Sequence, residues 1–130
     1  MAPPPTLKDT ADVYTKCGAE LGVKVAPVGL AFERAIRERP ALPLYVADGA
    51  HANLRGLYLT LCVLYATLFE RSPVGLAYRM DDVAAWSLEY ALWGLGREHD
   101  WQLSAEEAAF LQRIAWETVG DYRAQHPVQQ

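Results

Sequence analysis

The sequence predicts a mostly helical α/β chain, and three observations lead there. Apolar residues recur at spacings of three and four along most of its 130 residues, the period of a helix with one covered face. One short run, Val23-Lys24-Val25-Ala26-Pro27-Val28, instead alternates branched apolar residues with a charge between Gly22 and Gly29, as a strand does. Proline, glycine and capping residues punctuate these stretches at intervals that suit separate elements.

Taken in order, Met1 to Pro5 is a proline-rich extended lead-in, and Thr6 to Leu21 forms the first helix, with Leu7, Ala11, Tyr14, Cys17 and Leu21 on one face. Gly22 ends it and the strand over 23–28 follows. From Leu30 to Arg39 an amphipathic helix is expected, with Glu33 and Arg37 paired at i,i+4 and Pro40 and Pro43 stopping it. Leu42 to His51 is a loop whose Asp48-Gly49 dipeptide signals a turn. Asn53 caps a helix over 54–70 that is apolar on most sides, so it should be packed on most sides, until Ser72-Pro73-Val74-Gly75 stops it. A helix over 83–95 opens on Asp81 and Asp82 and carries Trp86, Tyr90 and Trp93. The last helix starts at the capping box of Ser104 and Glu107, with Leu111, Ile114, Ala115, Thr118 and Tyr122 on one face. A lone strand cannot satisfy its own backbone groups, so it needs neighbours from outside this stretch of chain.

Composition narrows the partners. With 52% hydrophobic and 22% charged residues the chain can build one core. A net charge of −4 with 12 scattered basic residues argues against nucleic acid. Gly56 to Phe69 is the longest uncharged apolar stretch, shorter than the roughly 20 residues that cross a bilayer, so no membrane partner is expected. The amino terminus has neither the basic nor the apolar region of a secretory signal, and a soluble, by default cytoplasmic, protein is the expectation. Cys17 and Cys62 fall in helical stretches without CxxC spacing, so both should be buried thiols rather than ligands. His99-Asp100 and His126 are isolated, Gly94-Leu95-Gly96 lacks the strand and third glycine of a phosphate loop, and the four tryptophans suit core or interface positions. No metal or cofactor is expected.

The chemistry-bearing feature is Asp48-Gly49-Ala50-His51, a carboxylate three residues ahead of an imidazole. An Asp that accepts the Nδ1 proton fixes the tautomer and leaves Nε2 free to take a proton from a hydroxyl nucleophile. By spacing alone, the plainer reading is that Asp48 caps a turn while His51 sits at a helix entrance.

The surrounding text, Leu44-Tyr45-Val46-Ala47-Asp48-Gly49-Ala50-His51-Ala52-Asn53-Leu54-Arg55-Gly56-Leu57-Tyr58-Leu59, resembles the last block of the SGNH (GDSL-type) hydrolase family. The Val25-Ala26-Pro27-Val28-Gly29 and Ala31-Phe32 segments before it, and Ser72-Pro73 after it, are similar to that family's carbohydrate-esterase-like members. The likeness spans roughly residues 10 to 76. It implies a partial flavodoxin-like three-layer α/β fold over 1–78, with 79–130 a helical extension. It also implies a serine esterase acting on an ester or an acetylated carbohydrate, in which Asp48 and His51 are the catalytic carboxylate and base.

The family's Gly-Asp-Ser nucleophile block and its oxyanion-hole Gly and Asn blocks have no counterpart here. Ser72, Ser87 and Ser104 read as a helix stop, a mid-helix residue and a cap. Without a nucleophile and preorganised donors, His51 has nothing to deprotonate, so this chain alone should be close to inactive. Three expectations follow: a piece of a longer esterase, a small protein that completes a separate amino-terminal chain, or a binding or scaffolding protein in which the dyad is idle.

Overall fold

In a computed structural model, which describes residues 6–79 and 103–127, the described residues form four helices. They are α1 (Leu7–Leu21), α2 (Val28–Glu38), α3 (Leu54–Phe69) and α4 (Ala105–Gln125). The expected helix over 83–95 lies outside the described residues.

The α/β expectation, and with it the flavodoxin-like three-layer arrangement, is wrong for this structure: among the described residues there is no strand and no sheet. The one β-type contact among the described residues is an isolated antiparallel bridge between Tyr45 and Ala52. The expected strand over 23–28 is an unpaired connection, and its last residue already begins α2. Alternation marks a segment that can pair, but a ladder needs a second strand, and the described residues offer none. Pro27, without an N–H, suits the helix entrance instead.

Side-chain caps start three of these four helices. Thr6 and Asp9 form a capping box on α1, and Gly22 closes that helix in the left-handed region at φ 65°. Asn53 accepts from Gly56 N–H at the start of α3, and Ser104 with Glu107 forms the capping box of α4. Ion pairs set the directions. Arg55 meets Glu107 at one end and Arg123 donates to the Ala66 carbonyl at the other, so α3 and α4 run parallel. Arg113 with Glu38, and Arg34 with Glu117 and Asp121, lay α2 antiparallel to α4.

The core lies between α2, α3 and α4. Phe32, Leu59, Val63, Leu111, Ile114 and Val119 fill it, joined by Leu42 and Leu44 from the α2–α3 connection. The expected face of α4 is the buried one through Thr118, with Tyr122 at its edge. In α3 the buried face differs from the expected packing on most sides: Gly56, Leu59, Cys62, Val63, Ala66 and Thr67 turn inward, while Leu61, Leu64 and Leu68 face solvent. Small residues let helices approach closely, and at Gly56 any Cβ would collide with the Leu44 carbonyl. The side that carries Gly56, Cys62 and Ala66 together with Tyr58, Leu59 and Val63 is therefore the one in the core.

Candidate functional site

Asp48 and His51 lie on the connection that enters α3. Buried Leu42 and Leu44 root this connection in the core, and residues 47–51 project from it into solvent. Its stem is cross-braced: Val46 N–H donates to the His51 carbonyl at 2.8 Å and Asn53 N–H to the Leu44 carbonyl at 2.9 Å. The Asn53 amide adds a bond to the Pro43 carbonyl at 2.8 Å, so one residue both caps α3 and ties the stem. Gly49 turns the chain at φ 69°, a left-handed conformation that disfavours any side chain.

Inside this turn Asp48 makes three hydrogen bonds. Its Oδ1 accepts from Ala50 N–H at 2.9 Å and His51 N–H at 3.0 Å, and its Oδ2 lies 2.5 Å from His51 Nδ1. The backbone bonds from His51 and Ala50, followed by the imidazole, hold the Asp48 carboxyl down at about 2. Asp48 is therefore ionised at neutral pH. In a neutral ring this contact favours the tautomer with the proton on Nδ1, which makes Nε2 the acceptor, on a side chain that is 68% exposed. Such a pair can orient an imidazole to take a proton and can stabilise the imidazolium that results.

The structure brings Asp48 and His51 together as the spacing suggests, and gives them no hydroxyl partner among the described residues. Ser72 Oγ accepts from Val74 N–H beyond the far end of α3, and Ser104 Oγ is spent on Glu107 N–H. Ser87 and His99-Asp100 lie outside the described residues. His126 Nδ1 is within 3.0 Å of the Tyr122 carbonyl. Cys62 is buried, and burial pushes its thiol up to about 11, whereas Cys17, expected inside, is exposed on α1. Among the described residues no group of three or more His, Cys, Asp or Glu could hold a metal, and no helix is long and apolar enough to cross a membrane.

Sequence reasoning missed a buried polar clamp between α3, α4 and the segment after α3. Gln112, on α4, donates to Tyr58 Oη at 2.9 Å and to the Leu76 carbonyl at 3.0 Å, and accepts from Gly75 N–H at 3.0 Å. Tyr58 Oη in turn donates to the Ala77 carbonyl at 3.1 Å. The Ser72-Pro73-Val74-Gly75 stop is thus the start of a segment held across α3 and α4. A polar residue inside the helical period of 111, 114, 115 and 118 was the one available signal.

No protein family, no curated protein and no solved structure matches the chain.

Proposed function

We propose that this chain contributes the acid–base pair of a serine esterase, for hydrolysis of an ester or acetylated carbohydrate. The observation that supports this reading is the 2.5 Å contact of Asp48 Oδ2 with His51 Nδ1 on a braced loop, with the imidazole largely exposed. In that role Nε2 takes the proton of a serine hydroxyl as its oxygen attacks the ester carbonyl. It then returns the proton to the departing alcohol, while Asp48 stays ionised and stabilises the imidazolium. The serine and the oxyanion-hole donors come from an amino-terminal segment or chain.

A second reading, a binding or scaffolding protein with an idle dyad, has one observation in its favour: both described serines are engaged locally, Ser72 in a turn with Val74 N–H and Ser104 as the cap of α4. Hydrolysis of p-nitrophenyl acetate separates the two. The chain is co-expressed with the protein segment encoded immediately upstream of it. The esterase reading expects hydrolysis that falls by roughly a millionfold in His51→Ala, as when a triad loses its base. Hydrolysis that survives in His51→Ala, or an upstream segment without a Gly-Asp-Ser strand, would falsify it.

A further inference from the structure

We infer that the outer face of α3 is a contact surface for a second copy of this chain, with the two α3 helices lying antiparallel across a two-fold axis. This inference stands on helix register and exposure and is independent of the chemistry of the dyad.

α3 carries two apolar faces on opposite sides. Leu59, Cys62, Val63 and Ala66 enter the core, whereas Leu57, Leu61, Leu64 and Leu68 form a second row on the other side. In that row Leu61, Leu64 and Leu68 are 46%, 37% and 60% exposed, and Leu57 is half-buried. No charged residue stands between Arg55 and Glu70. Steps of four, three and four are the d and a positions of a heptad, the seam by which one helix packs on another. A single leucine in water is ordinary. A row of them held in one register over three turns marks an interaction surface.

Register, charge and size together select the occupant. The spacing reads the same in both directions, so a second α3 turned end for end matches it layer by layer. Leu57 then lies opposite Leu68 of the second copy, and Leu61 opposite Leu64. Charges flanking such a seam are what direct it to a foreign partner. Here the flanking positions are Tyr58, Thr60, Tyr65 and Thr67, so the seam carries nothing that repels its own copy. Without those charges the helix dipoles set the direction, and the antiparallel pair places the amino-terminal end of each α3 beside the carboxyl-terminal end of the other. The exposed parts of the row and its half-buried neighbours amount to roughly 400 Å² per copy, so a pair buries about 800 Å², the size of an exchanging contact rather than a permanent one. Dissociation on the order of 100 μM suits such a contact.

The test is sedimentation equilibrium of the whole chain up to millimolar concentration, with helix content followed by circular dichroism. The mass should rise from that of one chain towards that of two. Leu61→Lys and Leu64→Glu, each alone, set a charge against leucine in the pair and should weaken it at least tenfold. An equal mixture of the two variants should recover most of the association, because residue 61 of one copy then meets residue 64 of the other as Lys against Glu. Val13→Glu, at an exposed position of α1, should leave the association unchanged. A single-chain mass at millimolar concentration overturns the proposal. So does a pair that Leu64→Glu does not weaken, or one that Val13→Glu weakens as much. A mixture that recovers nothing overturns the antiparallel register, since a parallel pair would set 61 against 61 and 64 against 64.

Discussion

α1 and α3 are nearly equal in length, 15 and 16 residues, and both start on well-formed caps, yet α3 buries seven residues and α1 only Gly18. The difference lies in what each helix meets. α3 is set between α2 and α4, where Gly56, Cys62 and Ala66 allow close approach and Leu59 and Val63 are fully buried. α1 touches the rest through Val25 on Gly18, Leu7 near Gly29 and the 2.7 Å bond between Thr15 Oγ1 and Tyr122 Oη. Its amphipathic face, with Tyr14 and Leu21 64% and 74% exposed, looks outward. Good caps define where a helix begins, and packing decides how firmly it is held.

The two cysteines give the largest test of this contrast. Cys17 sits exposed on α1, and Cys62 is buried in the core with its thiol pushed up to about 11. A disulfide reagent attacked by thiolate should label Cys17 in the native protein at once, and Cys62 only when the core opens. Core openings cost most of the global stability, so the two rates should differ on the order of a thousandfold or more. Comparable rates would show that the three-helix core is no better held than α1.

Side-chain truncation measures the same contrast in free energy. Leu59→Ala empties a fully buried site and should cost about 2–5 kcal/mol in urea unfolding. Leu21→Ala, on a side chain that is 74% exposed, should stay within about 0.5 kcal/mol. A large loss at Leu21 would mean that something covers the outward face of α1, and would move the boundary of the core.

Caps, stops and single-face periodicity were legible in the sequence because each depends on near neighbours. Asn53, the Ser104–Glu107 box, Gly22 and the face of α4 through Thr118 are all where residue spacing places them. Choices among distant partners were not legible. The alternation in 23–28 carries no information on whether a second strand is present, so it read as sheet and folded as a connection. A hydrophobic count does not choose among the leucines of α3, and it is the side with Gly56, set close against the Leu44 carbonyl and Phe32, that turns inward with Leu59 and Val63. Cys17 was placed inside by the same kind of count. For the dyad, spacing conveyed the Asp48–His51 contact, while the bracing by Val46 and Asn53 needed the fold.

The smallest effect is local, and it asks whether the dyad loop behaves as core or as an appendage. Its stem is rooted by Leu42 and Leu44, while Asp48 is held by hydrogen bonds from its own turn. In the folded chain the Asp48 carboxyl is at about 2, against 3.8 ordinarily. Because the folded value is the lower one, the turn's contribution is complete above about pH 4 and is lost as pH falls towards 2. Protonation removes the negative acceptor from Ala50 N–H, His51 N–H and Nδ1 together. The amide resonances of Ala50 and His51 should therefore shift with a midpoint near pH 2, and Asp48→Asn, which cannot ionise, should abolish that step. A midpoint at the ordinary carboxylate value would mean that the turn is not formed in solution. A step shared with the amides of Leu59 and Ile114 would mean that loop and core open as one unit, and the loop would then belong with α3 rather than with the loosely held surface that α1 represents.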